Sequence, residues 1–297
     1  MVMRFSGVFL LLLIAGGCVV HQGDIREAES PPRVGIQSVS EYVYTPDDWP
    51  EQLTATVFRP EGEGPHPGIL LVHGGGWRGG SPDDISRIAR RYARSGFVAV
   101  NVSYRFAPAH LFPAQLHDVQ QAMHWLHGNA DELDLDAERI AAMGYSAGAH
   151  LVSLMALVAG QGGELDTPHG GRETRPFAVI AGGTPTDLRK WESGRLVEGF
   201  LGGTQAEKRE AYRLASPVVH VHAEAPPFFL FHGRMDRLVP LDHAEDFSEI
   251  LNQHALHHEL YMQRLRGHIS SFLTRQGAMR ESIRFLWAEL EALPQAQ

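Results

Sequence analysis

Five residues constrain this chain more than any others: Gly144-Tyr145-Ser146-Ala147-Gly148. The apolar run Ile140-Ala141-Ala142-Met143 leads into them, and a helix-compatible run from Ala149 to Val158 leaves them. A strand that becomes a helix within five residues brings the two backbones together. Glycine two positions either side of the serine leaves room for that approach. The serine then sits at the tip of a strained turn, its hydroxyl clear of the sheet and near the positive end of the new helix.

The same order of elements repeats. Ile69-Leu70-Leu71-Val72 is a continuous apolar run, as expected of a strand buried on both faces. Ser81-Pro82-Asp83-Asp84 reads as a helix start, with serine as cap, proline at the first position and acids in the first turn; Gly96 stops that helix. Phe97 to Ser103 is a second strand. Gln115 to His127 is a helix with Leu116, Val119, Met123 and Leu126 on one face. Further strands are predicted at Phe177–Ala181, Pro227–Phe231 and His258–Met262, and helices at Leu241–His254 and Glu281–Leu290. Ile36–Tyr44 and Leu53–Phe58 alternate apolar and polar residues around a turn, and predict an antiparallel pair at the sheet edge. Alternating strand and helix make this an α/β chain with a mostly parallel central sheet and helices on both faces. Residues 189–217 carry Trp191, Phe200 and Leu201 among charges and glycines, and predict a small cap of short helices over the site rather than a second domain.

In such a sheet, ligands bind beyond the carboxyl ends of the strands. Ser146, the run His73-Gly74-Gly75-Gly76-Trp77, Asp187, Asp236 and His268 all follow predicted strands directly. A serine hydroxyl needs a base to take its proton, and histidine titrates in the useful range. A carboxylate must then orient the imidazole. Of the 17 histidines, His268 comes in the loop after the last strand and follows both candidate acids. His232 reads as structural, and His257 and His258 precede or open a strand. Asp236 is the expected acid because it directly follows the next-to-last strand and comes shortly before His268, and Asp187 is expected to anchor a loop or line the pocket, with Trp77 and Tyr145. The amides of Gly75, Gly76 and Ala147 are the expected donors to a developing oxyanion. A phosphate-binding reading of the glycine run is disfavoured, since no Gly-Lys-Ser/Thr follows it.

These motifs, with Tyr104-Arg105-Phe106-Ala107-Pro108, Phe112-Pro113, Asp118, His232-Gly233, Val239-Pro240 and Gly267-His268, resemble the α/β-hydrolase fold of the hormone-sensitive-lipase-like and bacterial carboxylesterase group. The resemblance covers nearly all of the chain from Leu53. It implies a Ser146–Asp236–His268 triad, the oxyanion donors Gly75, Gly76 and Ala147, no cofactor, no metal, and hydrolysis of small short-acyl esters. Tyr145 stands where hormone-sensitive-lipase-like members usually carry an acid. With Ala149-His150-Leu151, this brings the chain nearer the feruloyl-esterase-like and kynurenine-formamidase-like branches, so arylformamidase chemistry on the same triad is the alternative. A non-catalytic envelope protein is a further reading, which an intact set of motifs disfavours.

The N-terminal residues carry a separate message. Arg4 precedes the apolar run Val8–Ile14, too short to span a bilayer, and Ile14-Ala15-Gly16-Gly17-Cys18 resembles a bacterial lipoprotein signal. The expectation is a signal peptide over 1–17, a lipid at Cys18, a polar tether over 18–33, a catalytic domain over 34–297, and an exported, membrane-anchored protein. Cys18 is the one cysteine, so no intrachain disulfide forms. The net charge of −9 argues against nucleic acid as a partner.

Overall fold

The computed structural model describes residues 19–294, so the signal and Cys18 lie outside the described residues. Nine strands form one sheet: β1 (Val19–Gly23), β2 (Ile36–Val43), β3 (Thr54–Pro60), β4 (His66–Val72), β5 (Val98–Val102), β6 (Leu135–Tyr145), β7 (Val179–Gly182), β8 (Phe228–Gly233) and β9 (His258–Gln263). Their spatial order is β1-β9-β8-β7-β6-β4-β5-β3-β2. The pairs from β5 through β4, β6, β7 and β8 to β9 are parallel; β2, β3 and β1 run antiparallel to their neighbours. The sheet is therefore mostly parallel, with the predicted β2–β3 pair at one edge.

The helices are α1 (Ser86–Ala93), α2 (Ala114–Gly128), α3 (Ala130–Leu133), α4 (Ala147–Val158), α5 (Arg195–Leu201), α6 (Arg209–Leu214), α7 (Asp242–Gln253), α8 (His268–Leu273) and α9 (Gln276–Ala292). One face of the sheet packs on α2, α4 and α7, through residues such as Val119, Leu151 and Phe247. The other packs on α1 and α9, through Ile88, Tyr92, Phe285 and Leu286. Every residue of α4 is buried, and every residue of β5, β8 and β9 as well. Two buried faces explain why a strand such as β8 opens on the unbroken apolar run Phe228–Phe231 rather than an alternating one.

Two expectations need correction. The fold does not wait until Val34: Val19–Gly23 is an edge strand paired antiparallel to β9, where a tether was expected. The polar residues that suggested a linker are partnered. His21 Nε2 lies 2.8 Å from the fully buried Glu259 and its ring packs on Tyr261, while Arg26 pairs with Glu289. Arg284 also binds Glu259 and the Arg26 carbonyl. A buried carboxylate needs such partners, and here the N-terminal segment supplies one. The second correction concerns His268, which opens α8 rather than lying in the loop after β9.

Candidate active site

β6 ends at Tyr145 and α4 begins at Ala147, so Ser146 is the whole turn between them. Its φ of 55° and ψ of −123° lie where a non-glycine residue is strained. The flanking glycines are needed for contact rather than flexibility. A β-carbon on Gly144 would collide with the Gly148 backbone, and one on Gly148 with the Val72 carbonyl.

From this turn a chain of hydrogen bonds runs across the carboxyl ends of three strands. Ser146 Oγ lies 2.9 Å from His268 Nε2, and His268 Nδ1 lies 2.6 Å from Asp236 Oδ2. With Nδ1 protonated, His268 donates to the carboxylate and Nε2 is left to accept the serine proton. The other carboxylate oxygen accepts the amides of Leu238 and Val239, both at 2.9 Å. Burial by itself would raise the Asp236 carboxyl, but the hydrogen bond and charge of His268 and the Val239 amide together hold it below the ordinary value. Asp236 is thus a fixed anion behind the imidazole. His232, buried behind it, donates from Nε2 to the Val239 carbonyl at 2.9 Å and shapes the same turn.

The glycine run closes the opposite wall. A β-carbon on Gly74 would stand 3.0 Å from the Tyr145 carbonyl and 3.4 Å from Ser146 Cβ, so this backbone is stacked directly on the serine turn. Gly75 and Gly76 have φ of 119° and 61°, and Trp77 follows at 59°. Among the described residues, the amides of Gly75 and Gly76 donate to no backbone acceptor, and Ala147, as the first residue of α4, has an amide with no partner inside the helix.

The BD-FAE family profile matches residues 56–251. The chain belongs to the BD-FAE family. It is 30% identical over 206 residues to the probable carboxylic ester hydrolase LipM of Mycobacterium tuberculosis, covering 64% of this chain and 46% of that protein. It is 34% identical over 197 residues to esterase LipC of the same organism, covering 63% and 48%. The chain thus spans less than half the length of these curated relatives. Among solved structures, the butyrate-bound esterase Est2 of Thermogutta terrifontis superposes with a TM-score of 0.72 at 25% identity, over 88% of this chain and 97% of that one. The fold is the α/β-hydrolase fold.

In this BD-FAE chain a cavity of about 770 Å³ opens above Ser146, with His268, Gly74, Gly75 and Gly76 at its base. Trp77 and Tyr145 line it, where the sequence placed them. Asp187 does not. It caps a turn through the Arg189 amide, pairs with the Arg189 guanidinium at 2.7 Å and receives Ser216 Oγ at 3.3 Å, so it anchors residues 188–216 instead of forming a pocket wall. Those residues include α5 and α6 and supply Trp191, Arg195, Leu196 and Val197 to the cavity. Phe200 of α5 stacks on Trp77 with ring centroids 4.5 Å apart.

Several lining residues escaped the sequence reading. Ile269 and Phe272 enter the cavity because His268 opens a helix, which puts its near neighbours on the same wall. His150, one turn into α4, is fully buried; its Nδ1 accepts from Trp77 Nε1 at 3.2 Å and its Nε2 donates to the Ala215 carbonyl at 2.6 Å. Burial pushes its imidazole down to about 4, so it is neutral and ties α4 to both the glycine loop and the insertion. Asp118, part of the resemblance, is buried and takes the Arg105 guanidinium at 2.7 Å and Trp49 Nε1 at 2.8 Å, holding the loop after β5. Among the described residues, no group of three His, Asp or Glu is placed to hold a metal.

Proposed function

We propose that this protein is a serine carboxylesterase that hydrolyses short-acyl esters through an acyl-enzyme. The observation that carries the reading is the 2.9 Å approach of His268 Nε2 to Ser146 Oγ at the base of an apolar cavity. In this reading His268 takes the serine proton as Oγ attacks the ester carbon, and Asp236 stabilises the imidazolium. The charge on the carbonyl oxygen develops against the amides of Gly75, Gly76 and Ala147, each donor lowering the barrier by on the order of 3 kcal/mol. His268 then returns the proton to the leaving alcohol, and water, activated by the same imidazole, releases the acid.

The names of the relatives support ester hydrolysis, and the butyrate held by Est2 supports a short acyl group. The expected export and lipid attachment at Cys18 belong to the same proposal, and mass spectrometry of the membrane-extracted protein tests them.

The deciding experiment treats the folded protein with a fluorophosphonate probe and maps the adduct. Labelling of Ser146, abolished in Ser146→Ala, is the expected result; a folded protein that takes no label overturns the reading. A panel of nitrophenyl esters graded by acyl length, run beside N-formylkynurenine, then tests the acyl preference and the formamidase alternative.

A further inference from the structure

The cavity mouth carries a feature that ester hydrolysis does not require. Among the described residues nine large apolar side chains are exposed, and five of them, Met235, Leu238, Leu265, Ile269 and Leu273, come from the β8–α7 loop, the β9–α8 loop and α8. Leu265 and Leu273 are each 68% exposed and Ile269 is 65% exposed, the highest values in that set. Hydrogen bonds join these segments into one rim. The Met235 amide donates to the Arg266 carbonyl at 2.9 Å, the Arg234 amide to the Gln263 carbonyl at 2.9 Å, and Arg266 Nε to Thr274 Oγ1 at 2.9 Å. Leu238 and Ile269 border the cavity itself. Exposed apolar side chains gathered in one place mark an interaction surface.

The charge on this rim runs against that of the chain. Residues 234–238 and 264–275 contain Arg234, Arg237, Arg264, Arg266 and Arg275, and one acid, Asp236, which is buried against His268. The chain as a whole carries −9. Among the described residues the arginines in ion pairs lie elsewhere, at positions such as 26, 105, 189, 213 and 284, and none of these five is among them. Exposed leucines among arginines that make no ion pair, of which Arg234, Arg237 and Arg264 are exposed, have the composition of a surface that meets anionic lipid.

A third observation places the rim. Val19 pairs with Gln263, the last residue of β9, so residues 1–18, with their apolar run Val8–Ile14, join the fold beside Arg264 and Leu265.

We propose that the Met235–Leu238 and Leu265–Leu273 rim is a seat for an anionic phospholipid bilayer, the leucines entering the headgroup layer and the arginines meeting lipid phosphates. The cavity mouth then faces the lipid. This holds independently of the ester-hydrolase reading and of lipidation at Cys18.

Hydrogen–deuterium exchange on the full chain tests it in three media: nonionic detergent micelles, phosphatidylcholine vesicles and phosphatidylglycerol vesicles. Residues 234–238 and 264–275 are expected to exchange about tenfold more slowly on phosphatidylglycerol than in the other two, the scale of one or two arginine–lipid contacts. High salt, Arg264→Gln, Leu265→Ser or Leu273→Ser should remove that protection and leave turnover of a water-soluble ester unchanged. Equal exchange in all three media overturns the proposal. So does protection that rises with protein concentration in the absence of vesicles, which would make the rim a contact between copies. The wild-type comparison decides even where a variant folds poorly.

Discussion

The Tyr145 hydroxyl donates to the backbone carbonyl of His268 at 2.5 Å, tying the residue before the serine to the residue that carries the imidazole. The two rings also pack, with centroids 5.2 Å apart. Tyr145 thus sets the distance between Ser146 and His268 without reaching the cavity chemistry itself. Tyr145→Phe keeps the ring and loses the hydrogen bond. We expect stability to fall by about 1 kcal/mol. We expect kcat to fall about tenfold with KM little changed, as for a small misplacement of a catalytic group. Steady-state kinetics beside urea titration measure both, and an unchanged kcat removes the positioning role.

Asp236→Asn should preserve the fold and nearly abolish turnover. The asparagine amide can fill the same space, but it can donate to His268 Nδ1 and so favour the tautomer with the proton on Nε2, facing Ser146. A loss of about 10⁴-fold in kcat is the expected scale. A variant retaining a tenth of the activity would return Asp187 to consideration, although Arg189 and Ser216 already occupy that carboxylate.

Glycine substitutions separate folding from chemistry. Gly148→Ala places a methyl against the Val72 and His73 carbonyls, backbone that cannot move without separating α4 from β4. We expect failure to fold, read by circular dichroism and solubility. Gly75→Ala puts a methyl against the Gly79 carbonyl at a φ that disfavours side chains, within a surface loop. That variant should fold and lose about a hundredfold or more in kcat, because an oxyanion donor is displaced.

His150 makes stability depend on pH. Its folded value of about 4 lies below the ordinary 6.5, because burial disfavours the cation. Protonation would also aim an N–H at the Trp77 N–H, which now donates to that nitrogen. A depressed value means the unfolded chain binds the proton first, so stability is full above about pH 6.5 and falls as pH drops toward 4. The whole effect is about 3 kcal/mol. His243, buried beneath the stacked Trp191 and likewise pushed down to about 4, acts in the same direction. Urea midpoints taken between neutral pH and pH 4 should show this decline, and His150→Leu should make it shallower by one proton. An unchanged slope in that variant excludes His150 as a source.

The amino-acid sequence alone determined what depends on near neighbours. Gly144, Ser146 and Gly148 stand two residues apart, and only a tight strand-to-helix turn uses that spacing. Continuous apolar runs such as Ile69–Val72 and Phe228–Phe231 marked strands with two covered faces. The order of Ser146, Asp236 and His268 against those strands placed all three at one end of the sheet. Tertiary structure decided what depends on partners far along the chain. Val19–Gly23 looks like linker until Glu259 and the rest of β9, more than 230 residues away, meet it. Asp187 and Asp236 both follow strands, and the packing of Arg189 and Ser216 against one of them left the other to His268. The part of the cavity wall formed by Ile269 and Phe272 was equally hidden. Backbone conformation is limited by local sterics and so leaves a local pattern, whereas the contact of one surface with another leaves none until the chain has folded.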